Sequence, residues 1–490
     1  MRHGEIPCHA GLLRVKKEHI SVLAQIAVLA TPAAMVLHQG DAAIDPDVGW
    51  HLQTANWILQ HHALPHSDPF SYTRAGAPWA AYSWLFELLL GGFYRILGLR
   101  GIVLYTALMA LVISWALLRL LSRYVEPIPA AALTAVGLYL TYPLLWPRPG
   151  LFTVLFFILQ LDYLLRARIE HNARYGWWIP LLYLLWANLH IQFVYGLFTL
   201  AVAAAEPWIR KLLRQPVSPE EWAVSQVLWK LLAASFAATL LNPYFVGIYT
   251  VVWQYATQTK AFDIIIELQA LDFRRIKDYV ELMLALVVAL SLGYRRQFRP
   301  LFVILFVAFT MAAFRAERDS WFLVTVGLAI LAVVSDRRPG ARTPEWHKPI
   351  VLVITCFVIA VAASLSPNFD ENALKTQVDS IYPSQACHFL ESAHYSGPLF
   401  SLLDWGGYLI WKLPEMQVAI DGRTNLYGDE FLTLVEDSWD GKPAWLTNPQ
   451  LDQAKVILAP KGVALTFILA NLDKYEIIYE DGQCIILVRK

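Results

Sequence analysis

Long apolar runs recur from about residue 20 to residue 366 of this 490-residue chain. A helix needs about 20 apolar residues to cross the hydrocarbon core of a bilayer, and these runs approach that length. Hydrophobic residues make up 57% of the sequence and charged residues only 16%, a composition that excludes an ordinary soluble enzyme. The sequence therefore predicts a polytopic α-helical membrane protein.

Arginine and lysine residues predict which ends of these helices face the cytoplasm, because cytoplasmic loops carry an excess of both. Basic clusters fall in every second loop if the stretch 83–99, which Glu87 and Arg95 interrupt, is an amphipathic surface helix rather than a span. This arrangement also makes the N-terminus cytoplasmic, ahead of an uncleaved first span. The clusters are Arg119/Arg123, Arg166/Arg168/Arg174, Arg210/Lys211/Arg214, Arg295/Arg296/Arg299 and Arg337/Arg338/Arg342.

The same assignment predicts about eleven spans. It leaves two long outer loops, 39–100 and 243–278, on the face opposite the basic clusters. The predicted spans lie at about 20–38, 101–120, 128–146, 150–167, 176–190, 191–209, 224–242, 279–296, 300–314, 320–335 and 348–366.

Residues 367–490 differ in character from the rest. Apolar runs shorten to strand length, and turn signals such as Asp481-Gly482 appear between them. The chain thus divides into a membrane domain, 1–366, and a small α/β domain, 367–490, that we expect on the outer face, which is the periplasm if the protein resides in a bacterial inner membrane. The predicted strands are Leu399–Leu403, Val418–Ile420, Val456–Leu458, Glu476–Tyr479 and Cys484–Val488.

Charge and cysteine content narrow the function further. The formal net charge is zero, which gives no bulk attraction to nucleic acid. The four cysteines are too few for a disulfide scaffold. Cys387 and Cys484 are the only two in the C-terminal domain; an oxidising compartment would let them pair, and the sequence leaves this open.

Two aspartates follow the first predicted span directly. Asp45 and Asp47 flank Pro46, and Trp50-His51 come next. Acidic residues at the end of a span are rare and usually functional. Paired carboxylates suit a hard divalent cation such as Mg²⁺ or Mn²⁺, or one base and one acid without a metal. The structural alternative is a helix N-cap before Val48.

This order of features resembles the GT-C superfamily of integral membrane glycosyltransferases. A first span, an acidic pair, a Trp-His-Leu helix and a polar outer loop closed by an amphipathic helix are similar to oligosaccharyltransferase catalytic subunits, protein O-mannosyltransferases and bacterial lipid-A sugar transferases. The resemblance implies a GT-C-like membrane domain and a polyprenyl-phosphate sugar donor. It also implies that Asp45 or Asp47 activates the acceptor or binds the metal.

A second resemblance lies in the C-terminal domain. Asp404-Trp405-Gly406-Gly407-Tyr408, with Asp421-Gly422-Arg423 soon after, is similar to the Trp-Trp-Asp-Tyr-Gly region of oligosaccharyltransferases but lacks the Trp-Trp pair. The resemblance implies that Asp404, Tyr408 and Arg423 contact the acceptor. The structural alternative is that the glycine pair simply opens a helix after a strand.

Other polar residues are expected at the same outer cavity. Arginine forks suit a phosphate, and Arg148, Arg315 and Arg318 are the candidates, with snorkelling or ion pairing as their alternatives. Glu267 is the candidate second carboxylate in the loop 243–278, where GT-C enzymes often place a catalytic or metal-binding acid. His51, Asp68 and His190 are the remaining cavity candidates, and His190 has an interhelical polar pair as its alternative.

The reaction expected is sugar transfer from a polyprenyl-phosphate donor in the membrane lipid to an acceptor, with inverting and retaining mechanisms both open. Such a transfer requires a carboxylate that takes the acceptor's proton and positive charge that holds the departing phosphate. The sequence has no glycine-rich nucleotide loop, which favours a lipid-linked donor over a nucleotide sugar. The alternatives are a transporter or flippase of lipid-linked saccharides, and a non-catalytic binder of them.

Overall fold

The computed structural model describes residues 8–296, 298–335 and 349–490. Most of them are helical. The basic cluster Arg337/Arg338/Arg342 lies outside the described residues. The helices are α1 (Cys8–Gln39), α2 (Val48–His61), α3 (Trp84–Leu97), α4 (Leu99–Ser122), α5 (Pro127–Thr141), α6 (Gly150–Ile169), α7 (Trp178–Leu189), α8 (Phe193–Leu212), α9 (Pro219–Thr239), α10 (Gly247–Thr257), α11 (Ala261–Ile264), α12 (Ile276–Arg295), α13 (Pro300–Arg315), α14 (Ser320–Ser335), α15 (Pro349–Leu365), α16 (Glu371–Ile381), α17 (Ser384–Ser392), α18 (Leu403–Lys412), α19 (Thr424–Tyr427), α20 (Asp429–Trp439), α21 (Pro449–Gln453) and α22 (Ala464–Ala470).

The membrane helices match the apolar runs of the sequence. Each predicted span falls on one helix, namely α1, α4 to α9 or α12 to α15. Within the described residues, five segments are long and apolar enough to cross a bilayer by length and composition, and three more are shorter apolar helices. The predicted polytopic helical architecture is confirmed, and the amphipathic stretch 83–99 forms α3. The sidedness of the helices stays a prediction.

A buried ion-pair network joins several helices at the end predicted to be cytoplasmic. Arg168, from α6, is 1% exposed, and its Nε lies 3.6 Å from Oε2 of Glu206 on α8. Arg299 contacts the same carboxylate at 3.3 Å, and Arg210 pairs with Glu221. Residues of three of the predicted basic clusters thus meet at one end of the bundle.

The C-terminal domain contains a four-stranded sheet in the order β1-β2-β4-β3. β1 runs parallel to β2, whereas β4 is antiparallel to both of its neighbours. Val418–Ile420 does not form the predicted strand: Val418 makes only isolated bridges, to Leu399 and to Ser71 of the first outer loop. Cys387 and Cys484 are buried and free. The strands are β1 (Leu399–Phe400), β2 (Val456–Pro460), β3 (Tyr475–Glu480) and β4 (Cys484–Arg489).

Two glycines bring the C-terminal domain against the acidic stretch. Helix α18 packs on α2, and a Cβ atom at Gly49 would lie 2.2 Å from the carbonyl oxygen of Gly407. A Cβ atom at Gly407 would in turn lie 2.4 Å from the carbonyl oxygen of Pro46. Only glycine allows backbones to approach this closely. The glycine pair follows β1 but does not open the helix, as the structural alternative had it: α18 begins at Leu403, and Gly406-Gly407 lie inside it.

Candidate active site

Three carboxylates of the outer loops converge on one arginine. Arg148 Nε lies 2.9 Å from Asp45 Oδ2. Arg148 Nη1 lies 3.1 Å from Asp47 Oδ2 and 2.6 Å from Glu267 Oε1. The sequence predicted functional roles for all four residues, and the structure brings them together; we call this group the carboxylate cluster.

The local fold holds the two aspartates in place. Asp45 Oδ1 accepts a hydrogen bond of 2.8 Å from the Asp47 backbone amide. Asp47 occupies the N-cap position of α2, yet its side chain makes no capping bond. Its Oδ1 instead accepts a hydrogen bond of 3.0 Å from Trp50 Nε1. Both carboxylates thus keep their second oxygen free to face Arg148, which the capping alternative does not explain.

Burial and charge set the protonation of the cluster. Burial raises the pKa of Asp47 to about 6. Arg148 opposes this rise, and the neighbouring carboxylates of Asp45 and Glu267 add to it. Burial alone would lower the pKa of Arg148, but the three carboxylates outweigh it and hold that pKa well above its ordinary value. Asp47 is therefore a carboxyl group that changes protonation near neutral pH beside a permanent cation.

Glu267 lies in a short 3₁₀ turn, Ile266–Leu268, of the second outer loop. A second arginine approaches it, because Arg318 Nη1 lies 3.8 Å from Glu267 Oε1. Arg315 is placed differently: its guanidinium stacks over the Phe262 ring, 4.6 Å from the centroid. Of the three predicted phosphate-binding arginines, Arg148 and Arg318 lie at the carboxylates, and Arg315 lies on an aromatic ring.

The carboxylate cluster faces a cavity of about 380 Å³. Asp404, at the start of α18, lines the same cavity from the C-terminal domain. Burial raises the pKa of Asp404, with Arg148 opposing the rise. Arg275 and Glu317 line it as well. The cavity thus combines acidic groups from both domains with arginine side chains.

His51 lies behind the cavity rather than in its lining. It is 2% exposed, and its ring contacts that of Trp50 with centroids 3.6 Å apart. Its Nδ1 lies 3.5 Å from Glu87 Oε1. Burial lowers the pKa of His51 well below its ordinary value and raises the pKa of Glu87 to about 8. A neutral histidine and a largely neutral glutamic acid therefore back the tryptophan that contacts Asp47.

The remaining predicted cavity residues lie in structural networks outside that lining. His190 Nδ1 lies 2.8 Å from Thr153 Oγ1. This contact is the interhelical polar pair that the sequence offered as the alternative role for His190. Arg423 Nη1 lies 2.7 Å from Asp68 Oδ1, so this buried pair ties the first outer loop to the C-terminal domain. The Tyr408 hydroxyl is 2.7 Å from Ser384 Oγ.

A groove adjoins the cavity, between two helices that the sequence did not single out. A groove of about 770 Å³ lies between α1 and α5. It is lined mainly by apolar side chains, and Arg275 and Lys277 lie in its lining. Pro143 and Arg275 line both the groove and the cavity. The sequence signal that could have located this groove is a pair of cations, Arg275 and Lys277, directly before the predicted span 279–296.

No protein-family model matches the chain, and no curated protein matches it. Solved structures do match. Archaeoglobus fulgidus oligosaccharyltransferase, tethered by a disulfide bond to an acceptor peptide containing the NVT sequon, is similar over 89% of this chain and 69% of that chain, with a TM-score of 0.54 and 12% identity. The same protein in complex with zinc and sulfate is similar over 88% of this chain and 68% of that chain, with a TM-score of 0.50 and 11% identity. ArnT from Cupriavidus metallidurans in the apo state is similar over 94% of this chain and 97% of that chain, with a TM-score of 0.46 and 14% identity.

The chain has a GT-C fold. The sequence resemblance to this superfamily is thereby confirmed at the level of the fold. The small C-terminal domain docks beside the acidic loop that follows the first predicted span.

One of the similar structures is a complex with zinc. This raises the question whether Asp45, Asp47 and Glu267 could bind a divalent metal ion. Oxygen ligands must surround a divalent cation at about 2.0–2.6 Å. Here the Arg148 guanidinium already lies among the three carboxylates. Within the described ranges, no group of three or more histidine, cysteine, aspartate and glutamate side chains is arranged to hold a metal ion. The residues present therefore do not fit the Mg²⁺ or Mn²⁺ site that the sequence suggested.

Proposed function

We propose that this chain is a membrane glycosyltransferase that transfers a sugar from a polyprenyl-phosphate donor to an acceptor at the outer face of the membrane. The observation that carries the proposal is the junction of two spaces. A polar cavity with a titrating carboxylate, Asp47, meets a largely apolar groove at Pro143 and Arg275. The GT-C fold supports the same class of reaction.

The groove suits the lipid part of the donor. Its walls come from α1 and α5, where small residues leave the space open. An apolar polyprenyl chain can lie there without meeting unpaired polar backbone groups, because the helices satisfy their own hydrogen bonds. The small and apolar lining includes Ala24, Ala27, Val28, Ala131, Ala132, Ala135 and Leu138.

The end of the groove suits the phosphate. Lys277 Nζ lies 2.8 Å from Glu317 Oε1, and Arg275 lies 2.6 Å from the other oxygen of that carboxylate. Both cations also lie near Asp278 Oδ1, at 3.3 Å from Arg275 and 3.8 Å from Lys277, so two acids balance their charge. A guanidinium has five N–H donors and an ammonium three, and this number leaves donors for a phosphate. A lipid chain in the groove would place its phosphate beside this pair and its sugar in the cavity.

The carboxylate cluster suits the chemical step. Asp47 takes the proton of the acceptor hydroxyl or amide group, the acceptor atom bonds to the anomeric carbon, and the bond from that carbon to the phosphate oxygen breaks. Arg275 and Lys277 stabilise the charge of the lipid phosphate that leaves. Arg148 keeps Asp45 and Glu267 compensated beside the reacting groups, and Asp404 faces the acceptor from the C-terminal domain.

The test uses purified protein in lipid vesicles with a radiolabelled hexose on polyprenyl phosphate. Release of polyprenyl phosphate is followed by thin-layer chromatography, with solubilised membrane components added as acceptors. We expect donor consumption that depends on the protein. If the donor moves between leaflets but is never consumed, the protein is a flippase, and if it only binds, the protein is a non-catalytic binder. Either result overturns the proposal.

We further place the protein in a bacterial inner membrane, with the N-terminus in the cytoplasm and the C-terminal domain in the periplasm. The basic network around Arg168 at one end of the bundle and the acidic cavity in the outer loops support this orientation. Because Cys387 and Cys484 are buried, the test labels a cysteine introduced at an exposed position of the C-terminal domain, in intact cells and in inverted vesicles.

A further inference from the structure

We propose that the Arg148 guanidinium is the resident cation of the carboxylate cluster, and that it takes the place of a divalent metal ion. The catalytic use of the cluster rests on the proposed function. The cation assignment rests on the contacts of the four side chains alone and can be tested without any sugar transfer.

The contacts show that the guanidinium occupies the point on which the carboxylates converge. Two of its nitrogens contact three carboxylates: Nε lies 2.9 Å from Asp45, and Nη1 lies 3.1 Å from Asp47 and 2.6 Å from Glu267. A metal ion coordinated by the same oxygens would need about 2.0–2.6 Å to each of them. The two cations cannot share this space, so a metal could enter only after Arg148 had left.

The charges favour the guanidinium as the permanent occupant. Arginine stays protonated under all ordinary conditions, so it cannot yield its place by losing a proton. Leaving the cluster would break contacts with three partly or fully buried carboxylates. Arg318 adds a second positive charge 3.8 Å from Glu267, which makes the site still less attractive to a further cation.

The backbone also fixes Arg148 at this point. It lies between Pro147 and Pro149, immediately before α6. The proline rings fix φ of Pro147 and Pro149, and the second restricts Arg148 to extended conformations. Less conformational entropy is then lost when the side chain binds the carboxylates. A covalently tethered cation in a fixed position needs no supply from solution.

The test measures Mn²⁺ binding by electron paramagnetic resonance on the full-length protein in detergent. Wild type is expected to bind no Mn²⁺ at the cluster. Arg148→Met removes the cation that contacts all three carboxylates and leaves only Arg318 beside Glu267. The variant is expected to bind Mn²⁺ at least about tenfold more tightly than wild type, because ligand charge sets such affinities. Arg148→Lys keeps the positive charge and is the matched control, with no gain expected.

The double variant Arg148→Met/Asp45→Asn shows whether any Mn²⁺ binds at the cluster, because Asp45→Asn should remove the binding that Arg148→Met gains. Thermal melting checks that each variant is folded, and Arg148→Gln replaces Arg148→Met if the latter is not. Stoichiometric Mn²⁺ binding by wild type that Asp45→Asn abolishes overturns the proposal, as does a folded Arg148→Met or Arg148→Gln protein that gains no binding. If wild type binds no Mn²⁺ and also consumes no donor, the cation assignment stands and the proposed function falls.

Discussion

A Cβ atom on Gly49 would lie 2.2 Å from the carbonyl oxygen of Gly407, so the helix that follows the acidic pair touches the C-terminal domain backbone to backbone. This contact joins the two domains next to Asp47. Side-chain contacts could adjust to substitution, whereas two backbones cannot. The geometry of the candidate active site thus depends on glycine at positions far apart in the sequence.

Gly407→Ala is expected to weaken this contact. The new methyl group would lie 2.4 Å from the Pro46 carbonyl oxygen, and such overpacking typically costs about 1–3 kcal/mol, more than alanine gains in helix propensity. The melting temperature and donor consumption should both fall. Gly482→Ala is the control in the same domain, since no atom beyond its two chain neighbours lies within 4 Å of its Cβ position. Equal behaviour of the two variants would show that the contact is unimportant.

Glu87→Gln should preserve the fold and make the stability of the protein less dependent on pH. Burial raises the pKa of Glu87 to about 8 in the folded protein, from 4.5. The folded state therefore holds a proton that the unfolded state has lost, so this group's contribution to stability is present below pH 4.5 and is lost as pH rises towards 8.

Thermal unfolding of wild type and Glu87→Gln across this pH range measures the effect. The wild-type melting temperature should fall more steeply with rising pH than that of the variant. Parallel curves would contradict a neutral, buried Glu87.

The rate of sugar transfer should fall as pH drops below about 6, because Asp47 must be ionised to act as a base and burial raises its pKa to about 6. The pH profile of kcat measures this. Asp404→Asn should change the KM for the acceptor but leave the inflection in place. An inflection that moves with Asp404 instead would assign the base to the C-terminal domain.

Arg275→Gln should raise the KM for the polyprenyl-phosphate donor by about 10-fold to 100-fold, as expected for the loss of a hydrogen bond to a charged group. Arg274→Gln is the matched control, because that side chain is 87% exposed and does not line the cavity or the groove. Initial rates at varied donor concentration separate KM from kcat. If both variants retain the wild-type KM, the phosphate lies elsewhere.

Local sequence patterns predicted much of the architecture. The spans follow from run length and the small domain follows from shorter runs, because hydropathy is a local property. The prediction failed at Val418–Ile420, where Val418 makes only isolated bridges to Leu399 and to Ser71. One of these two partners lies more than 300 residues earlier in the chain, beyond the reach of a local pattern.

The site was predictable in composition but not in arrangement. The chemistry of carboxylates and arginines selected Asp45, Asp47, Glu267 and Arg148, and predicted topology put them on one face. The sequence could not show that Arg148 would occupy the point where a metal was expected, because that depends on contacts between residues more than 100 positions apart. It also gave no way to distinguish Asp68, whose partner is Arg423, from a residue in the cavity lining.

The initial rates of sugar transfer by the Asp47→Asn and Asp41→Asn variants, measured side by side, test the central claim most directly. Asp41 is an exposed aspartate of the same loop, outside the carboxylate cluster. The account predicts that Asp47→Asn lowers the initial rate of sugar transfer by about 10²–10⁴-fold, the usual contribution of a general base, while Asp41→Asn keeps the wild-type rate. A folded Asp47→Asn protein that transfers sugar at the wild-type rate would contradict the account.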